Sequence, residues 1–267
     1  MKERDFSEIP ATGRQHPVHF VGAGPGDPEL ITVKGQRLLQ EADIVIYTGS
    51  LVPAALIRDL QAEIHNSAGL NLDEVFQLIY TGWMAGKKIV RLHTGDPAIF
   101  GAINEQIALF NEKKIPFQII PGVSSGTASA AALSTELTLP EVSQTVIFTR
   151  RAGRTPVPEK QDLVSLASHR ATMMIFLSVS MIEQVVEELI EGGYNKETPV
   201  AIVEKVSWPE ERQLRGTLET IAAQVNDSGI TKTALIAVGD VLADGPPPAL
   251  SKLYDGTFSH GYRKGSS

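Results

Sequence analysis

Short apolar runs alternate with longer amphipathic segments in the first half of this chain. Runs at residues 17–22, 43–47 and 88–92 predict strands, whereas 32–42 and 73–85 carry apolar residues at helical spacing. The order strand, turn, helix, strand predicts βαβ units with right-handed crossovers, and therefore a parallel sheet. Three further elements complete this half, namely a helix at 102–111, a strand at 117–120 and a small-residue helix opened by 121–128.

The alternation continues after Leu139-Pro140, so we predict a domain boundary between residues 135 and 143. The run at 213–216 predicts an antiparallel partner for 199–204, which makes the second sheet mixed. Further strands are predicted at 144–149, 172–177 and 233–238, and helices at 163–168, 182–191 and 218–225. The chain is thus divided into an irregular extension (1–16), an N-terminal α/β domain with a mainly parallel sheet (17–138), a C-terminal α/β domain with a mixed sheet (139–250), and a tail (251–267), loosely held from Pro246-Pro247-Pro248 onward.

Three glycine-rich turns follow predicted strands in the first half, and the most informative begins at Leu92 and ends at Gly101. Gly95 can adopt a positive φ and lets a ligand approach the backbone, while Asp96 offers acceptor oxygens. Pro97 removes an N–H donor that a phosphate would need. The turn therefore favours a ligand that binds carbonyls and carboxylates, although Gly-Asp-Pro alone is also typical of a tight turn without a ligand.

A dinucleotide-binding interpretation of the first turn is disfavoured. The pattern there is Gly22-x-Gly24-x-Gly26 instead of G-x-G-x-x-G, and Pro25 lacks an N–H for a pyrophosphate. The acidic residue expected at the end of the second strand is also missing, because Asp43 opens that strand. No G-x-x-x-x-G-K-[ST] sequence occurs, so a P-loop is excluded.

Composition narrows the class of protein further. The chain has 267 residues, 42% of them hydrophobic and 21% charged, which is typical of a globular enzyme. The absence of cysteine excludes disulfides and thiolate chemistry, and the net charge of −7 disfavours a broad nucleic-acid surface. The six histidines lack metal-ligand spacing, and no G-x-S-x-G motif supports a hydrolase. No segment has the apolar length of a signal peptide or a membrane span, so a cytoplasmic protein is expected.

A cluster of three arginines follows the strand at 144–149. Arg150, Arg151 and Arg154 place three guanidinium groups within five positions of an acidic chain. Because arginine forks bind carboxylates bidentately, the cluster indicates either a polycarboxylate substrate or a solvated loop. Elsewhere in this half, Met173 and Met174 are expected in the core, and three glutamates are expected on a solvated helix face: Glu187, Glu188 and Glu191.

Several motifs in order resemble one known family, the tetrapyrrole (corrin/porphyrin) methylases, from about residue 17 to residue 250. They are Gly22-Ala23-Gly24-Pro25-Gly26-Asp27-Pro28-Glu29-Leu30-Ile31-Thr32, Thr94-Gly95-Asp96-Pro97-Ala98-Ile99-Phe100-Gly101, Ile119-Ile120-Pro121-Gly122-Val123-Ser124-Ser125 and Pro199-Val200-Ala201-Ile202-Val203-Glu204. Two further stretches, 47–52 and 149–159, resemble the members that methylate carbon 11 of precorrin-4 or cobalt-precorrin-4 in cobalamin biosynthesis.

The resemblance implies two α/β domains with S-adenosyl-L-methionine in the cleft between them, a tetrapyrrole substrate, S-adenosyl-L-homocysteine as product, and a homodimer. It implies cofactor contacts at Pro25, Gly95, Asp96, Ile99, Ser124, Ser125, Ser178, Val206, Thr233 and Ala234. Relatives have Thr-Ala where this chain has Ser124-Ser125, and some have Met at the position of Ser178. If contact there is mainly through the backbone, these departures matter little. Together with Asp27, the three arginines are candidates for gripping the acetate and propionate arms of the macrocycle. No metal site and no catalytic base is assigned.

Other functions stay open at this point. Within the family, the substrate could be another corrin or porphyrin carbon, diphthamide or ribosomal RNA, although RNA would need a basic face. A non-catalytic sensor of an adenosyl ligand is a different class of function, and it would bind the cofactor without transferring a methyl group. A dehydrogenase is the last alternative, and it would bind NAD.

Overall fold

The computed structural model describes residues 16–49, 51–246, 249 and 251–265. Apart from His16, the predicted N-terminal extension lies outside the described residues, as do Ser50 of the stretch 47–52 and Pro247 and Pro248 of the predicted tail. Contacts divide the chain into two compact units, Met1–Ser125 and Gly126–Ser267.

The first unit alternates strands and helices along the chain. Its strands are β1 (Val18–Gly22), β2 (Ile44–Tyr47), β3 (Glu63–Asn66), β4 (Ile89–His93) and β5 (Phe117–Ile120). Its helices are α1 (Val33–Gln40), α2 (Leu72–Met84) and α3 (Asn104–Glu112).

All five strands of the first unit are parallel, in the order β3-β2-β4-β1-β5, so the predicted parallel sheet is confirmed. Successive side chains point to opposite faces, and each face has its own apolar core. Phe20 packs in a cluster with residues of α2 and α3, whereas its neighbour Val21 packs in a second cluster with Leu39 of α1. The apolar runs of the sequence therefore supply both faces of one sheet.

Strand β3 was not predicted from the sequence. It pairs with β2 at the edge of the sheet, and three of its four residues are exposed. A short edge strand without a buried face needs no apolar alternation, so the sequence carried no signal for it. By contrast, α2 has a clear start signal, because Asn71 and Glu74 form a capping box around its first turn.

The second unit contains the remaining elements. Its strands are β6 (Val146–Arg150), β7 (Thr172–Phe176), β8 (Pro199–Glu204), β9 (Arg212–Thr217) and β10 (Ala234–Val238). Its helices are α5 (Leu163–Ala167), α6 (Ile182–Glu191) and α7 (Ile221–Ser228), and α4 (Ser125–Ala132) begins where the two units divide.

The sheet of the second unit is mixed, as predicted. Its order is β6-β7-β10-β8-β9; β6 and β7 are parallel, and every other pair is antiparallel. The predicted pairing of 213–216 with 199–204 is confirmed. Met173 and Met174 are fully buried, which confirms their place in the core.

Most predicted elements agree with the structure to within about two residues, and two boundaries differ by more. Helix α7 starts three residues later than predicted, because Leu218 N–H donates to the Thr198 carbonyl (3.0 Å) and Thr220 Oγ1 accepts from Thr217 N–H (3.0 Å) in a turn. The unit division falls before Gly126, whereas the sequence placed the domain boundary after residue 138. Residues in this interval bond within the second unit: Thr135 Oγ1 donates to the Val241 carbonyl (2.9 Å).

No helix in the described ranges is long and apolar enough to cross a membrane.

Candidate functional site

The three glycine-rich loops of the first unit follow neighbouring strands. Because β1 lies between β4 and β5, the loops after these three strands are side by side at the carboxyl edge of the sheet. Ligands of parallel α/β sheets bind beyond this edge. The six first-unit residues expected to contact the cofactor all lie in these loops or at the start of the following helix: Pro25, Gly95, Asp96, Ile99, Ser124 and Ser125.

The loops after β1 and β4 are joined by backbone hydrogen bonds. Gly95 N–H donates to the Gly24 carbonyl (2.8 Å), and Gly24 N–H donates to the Gly95 carbonyl (3.3 Å). Both glycines have a positive φ, at +79° for Gly24 and +63° for Gly95, which a side chain would disfavour. Ala23 N–H donates to the His93 carbonyl (2.7 Å) below them. These bonds hold the backbone of the two loops in one conformation.

Three glycines allow the backbones of all three loops to touch, and we call them the glycine junction: Gly22, Gly95 and Gly122. A Cβ on Gly22 would lie 2.6 Å from the Gly95 carbonyl oxygen and 2.6 Å from Gly122 Cα. A Cβ on Gly122 would lie 2.1 Å from the same carbonyl oxygen. These distances are far below van der Waals contact, so the loops could not approach so closely with side chains at Gly22 and Gly122. A Cβ on Gly95 would have no atom nearer than 3.9 Å, and a side chain there is disfavoured only by the positive φ.

Asp96 uses both carboxylate oxygens on backbone N–H groups. Its Oδ1 accepts from Ala98 (2.7 Å) within its own loop, and its Oδ2 accepts from Gly122 (3.1 Å) in the loop after β5. The sequence predicted acceptor oxygens for a ligand here. In the structure both oxygens bind the protein's own backbone, and no signal in the sequence revealed the bond to Gly122.

The remaining predicted cofactor residues of this unit differ in exposure. Pro25 and Ser124 are buried, whereas Ile99 and Ser125 are partly exposed. Ile99 N–H donates to the Asp96 carbonyl (3.1 Å), and two residues beyond it have a positive φ, at +53° for Phe100 and +48° for Ala102. A positive φ at a bulky residue costs free energy, and such strain is typical of functional loops.

Two buried polar residues of β4, Arg91 and His93, lie just before this site on the face of the strand that α3 covers. Arg91 donates to Gln106 Oε1 (3.2 Å) and to the Ile46 carbonyl (3.1 Å), and burial lowers its pKa to about 10. Burial, followed by the charge of Arg91, lowers the pKa of His93 to about 3. His93 is therefore a neutral, buried residue at physiological pH, and its Nε2 has no hydrogen-bond partner among the described residues. Its position agrees with the predicted structural role.

In the second unit, four strand ends share one sheet edge. The carboxyl ends of β6, β7 and β8 lie there with the amino end of β10, as their pairing requires. Four residues without glycine's freedom have a positive φ at this edge: Leu177 (+55°), Lys205 (+47°), Ser207 (+64°) and Thr233 (+55°). Backbone strain is thus concentrated where the resemblance places the second group of cofactor residues.

Ser178 and its neighbour Leu177 have opposite environments. Ser178 is fully buried; its Oγ donates to the Phe176 carbonyl (2.7 Å) and accepts from Arg151 N–H (2.9 Å). Its hydroxyl is therefore used within the protein, and a cofactor contact there would involve the backbone. Leu177 is 71% exposed with a strained backbone. No signal in the sequence indicated this exposure, because Leu177 is the last residue of the predicted strand 172–177 and a leucine in a strand is usually buried.

The other three predicted cofactor residues of this unit lie at the ends of two neighbouring strands. Val206 follows β8 and is buried, and Ala234 opens β10. Thr233 immediately precedes Ala234, and its carbonyl accepts from Lys205 N–H (2.8 Å). The pairing of β8 with β10 therefore brings these residues together.

The three arginines have different environments in the structure. Arg150 donates to the carbonyls of Thr155 (3.1 Å) and Pro156 (2.7 Å), which folds its own loop. Arg151 donates from Nη2 (2.6 Å) and Nε (2.8 Å) to Glu188 Oε1. The expectation that Glu188 lies on a solvated helix face is therefore wrong, because a pattern along one helix does not reveal a partner on another element. Arg154 is exposed, and in the described part of the chain it has no ion-pair or hydrogen-bond partner.

Asp27 caps a short turn of helix in the first loop. Its Oδ1 accepts from Glu29 N–H (2.9 Å), and Pro28 occupies the first position of the turn. Elsewhere in the described ranges, no three His, Asp or Glu side chains are grouped in a way that could hold a metal ion.

Comparisons with known proteins establish the class. The family model described as Tetrapyrrole (Corrin/Porphyrin) Methylases matches residues 17–222, and this chain belongs to that family. The resemblance found in the sequence motifs is therefore confirmed.

Individual relatives narrow the class. The chain is 58% identical over 249 residues to a cobalt-precorrin-4 C(11)-methyltransferase of Methanocaldococcus jannaschii, covering 92% of this chain and 96% of the relative. It is 48% identical to a precorrin-4 C(11)-methyltransferase of Pseudomonas aeruginosa, with 93% and 99% covered. Relatives of both names thus match nearly the whole chain.

Solved structures agree in fold. The X-ray structure of a cobalamin biosynthetic enzyme, cobalt precorrin-4 methyltransferase, has a TM-score of 0.85 and 43% identity, covering 88% of this chain and 99% of that one. A uroporphyrin-III C-methyl transferase of Thermus thermophilus, complexed with S-adenosyl homocysteine, has a TM-score of 0.72 and 30% identity, covering 85% and 93%. The predicted fold class is confirmed.

Proposed function

We propose that this chain transfers a methyl group from S-adenosyl-L-methionine to carbon 11 of precorrin-4 or cobalt-precorrin-4 in cobalamin (vitamin B12) biosynthesis. The observation that carries the proposal is the 58% identity, over 92% of the chain, to a relative named for this reaction. The neighbour that was solved with S-adenosyl homocysteine supports the choice of cofactor.

The loops of the first unit suit such a cofactor. The glycine junction removes side chains from the carboxyl edge of the sheet, so a ligand can reach backbone carbonyls there. Carbonyl dipoles attract the positive charge of a sulfonium, whereas Pro25 and Pro97 remove N–H donors that a phosphate would need. We propose that the cofactor is held by the ten residues named above, six in the first unit and Ser178, Val206, Thr233 and Ala234 in the second.

The main contribution that this reaction requires of the protein is to position the methyl group and the attacking carbon. When bound, the cofactor would supply an electrophilic methyl group on sulfur. Carbon 11 would form a bond to this methyl group as the carbon–sulfur bond breaks, the electron pair of that bond would stay on sulfur, and the methylated ring would lose a proton to a base or to water. The loops must hold the methyl group in line with the attacking carbon and exclude water. Orientation of this kind contributes on the order of several kcal/mol. Because His93 is enclosed in the first unit's core, we do not assign it as a base.

The arginine loop is our candidate for the macrocycle's carboxylates. Arg150 and Arg151 fix the loop through their own partners, and Arg154 presents an exposed guanidinium. Asp27, a carboxylate, would accept from a pyrrole N–H and not bind an acetate arm. Arg154→Ala should raise the KM for the tetrapyrrole about tenfold, the loss of one charge-assisted pair, and leave S-adenosylhomocysteine affinity unchanged. Lys160→Ala removes an exposed cation nearby and serves as the control; equal effects of both changes would refute the assignment.

We also propose a homodimer that acts in the cytoplasm on a small-molecule substrate, without nucleic acid or membrane. This rests on the family resemblance and on the acidic composition. Light scattering of the purified protein during gel filtration tests the dimer, because a monomeric mass would contradict it.

Fractionation of cells that produce the protein tests its location, and recovery of the protein with membranes would contradict a cytoplasmic location.

The reaction itself is tested by a paired assay. The purified protein is given S-adenosylmethionine with either precorrin-4 or cobalt-precorrin-4, and the mass of the macrocycle is followed. A gain of one methyl group with at least one substrate is expected, and the better substrate identifies the metal-free or the cobalt branch. If neither gains mass although S-adenosylhomocysteine binds, the proposed substrate is wrong.

A further inference from the structure

Asp96 connects two strands that are not neighbours. Strand β1 lies between β4 and β5, yet the carboxylate of Asp96, after β4, accepts from the N–H of Gly122, after β5. We propose that Asp96 is a positioning residue, a latch that sets the spacing between the two loops without itself contacting the cofactor through its carboxylate. The functional part of this inference rests on the proposed function.

The latch is possible only because β1 ends in a glycine. A Cβ on Gly22 would strike both flanking loops, at 2.6 Å from the Gly95 carbonyl oxygen and 2.6 Å from Gly122 Cα. Because Gly22 lets the two flanking loops approach each other, the Asp96 carboxylate can reach Gly122 N–H (3.1 Å). Hydrogen bonds from backbone N–H groups to a carboxylate are charge-assisted and stronger than bonds between neutral groups.

A second Gly-Asp-Pro sequence in the first unit forms the same kind of local turn as the one that contains Asp96. Gly26-Asp27-Pro28 and Gly95-Asp96-Pro97 have the same sequence, and each aspartate accepts from the N–H two residues later, at 2.9 Å for Asp27 and 2.7 Å for Asp96. That bond stabilises a turn within one loop. The second oxygen of Asp96 also binds the backbone of another loop, where it accepts from Gly122 N–H (3.1 Å). Turn formation therefore does not account for the whole role of Asp96.

The latch should act on cofactor affinity in a characteristic way. Ile99 lies on one of the connected loops, and Ser124 and Ser125 follow the other. A fixed spacing in the ligand-free protein reduces the ordering cost of binding. Loss of the latch should therefore weaken every ligand that contacts both loops by the same factor. A direct contact would weaken only those ligands that carry the contacted group.

The test compares ligands of decreasing size in Asp96→Asn. The amide oxygen can still accept from Ala98, but the amide nitrogen cannot accept from Gly122. Calorimetric Kd values for S-adenosylhomocysteine, methylthioadenosine and adenosine should all rise about tenfold, within threefold of one another, while the KM for the tetrapyrrole changes less than threefold. Asp162→Asn is the matched control, since Asp162 caps α5 with a 2.7 Å bond to Ser165 N–H. A loss confined to S-adenosylhomocysteine would overturn the latch in favour of a direct contact.

A measurement without ligand separates the latch from the proposed function. In ligand-free Asp96→Asn, hydrogen exchange at the Gly122 amide should speed up at least tenfold, whereas Asp162→Asn should leave it unchanged. If Asp96→Asn does not fold, coupling across the hydrogen bond between Gly122 nitrogen and the Asp96 carboxyl carbon is measured in the unaltered protein. Unchanged exchange, or no coupling, overturns the latch. If the unaltered protein binds none of the three ligands, the proposed function fails, and the effect on affinity fails with it.

Discussion

The two units prepare a sheet edge for a ligand in opposite ways. In the first unit, the absence of side chains at Gly22 and Gly122 lets three backbones touch. In the second unit, residues with side chains are held at positive φ, among them the exposed Leu177. The glycine junction of the first edge is therefore intolerant of added atoms. The strained positions of the second edge, like Phe100 and Ala102 in the first unit, should tolerate glycine.

The comparison is tested most severely by adding one methyl group to the glycine junction. Gly122→Ala would place a Cβ 2.1 Å from the Gly95 carbonyl oxygen. We expect a loss of about 3 kcal/mol in the free energy of unfolding and loss of S-adenosylhomocysteine binding, measured by urea denaturation and calorimetry. Gly69→Ala is the control, because a Cβ there has no atom within 4 Å. Equal stability of the two variants would show that the junction is not rigid.

The next effect concerns the buried scaffold beneath the first edge and appears as a pH dependence. The folded-state pKa of His93 is lowered from 6.5 to about 3, first by burial and then by Arg91. Above pH 6.5 the residue is neutral in both states and its contribution is complete. As the pH falls from 6.5 towards 3, only the unfolded state takes up the proton, so stability should fall by up to about 1.4 kcal/mol per pH unit.

Urea midpoints between pH 4 and pH 8 measure this slope. His93→Phe, which keeps an aromatic ring beside Phe20, should flatten the profile, whereas His169→Gln at an exposed site should not. An unchanged slope in His93→Phe would contradict the burial of a neutral imidazole.

The smallest effect is expected at the second edge. Leu177→Gly relieves a φ of +55°, which costs a residue with a Cβ roughly 1 kcal/mol. The free energy of unfolding should therefore be unchanged or raised by up to about 1 kcal/mol, because the greater freedom of unfolded glycine offsets part of the gain. We expect kcat/KM to fall in the same variant, because the exposed Leu177 precedes Ser178 at the edge where we propose that the cofactor binds. Destabilisation without loss of activity would reverse our interpretation of this edge.

The loops of the first unit's candidate site could be predicted from the sequence better than the contacts of the second unit's site. Glycine and proline are visible in the sequence, and strands of a parallel sheet end at one edge, so the gathering of three loops followed from the alternation alone. The bond from Asp96 to Gly122 did not follow, because it joins residues 26 positions apart through the strand order. The strain at Leu177 and the pairing of Arg151 with Glu188 depend on tertiary packing, and edge strand β3 has no apolar pattern.

The proposed function specifies carbon 11 as the position that receives the methyl group. The purified protein should be incubated with S-adenosylmethionine labelled with carbon-13 in its methyl group and with the tetrapyrrole that gains mass, and the product examined by NMR. We expect a single labelled methyl group on carbon 11. A label on any other ring carbon would contradict it, even if the family, the fold and the cofactor are all correct.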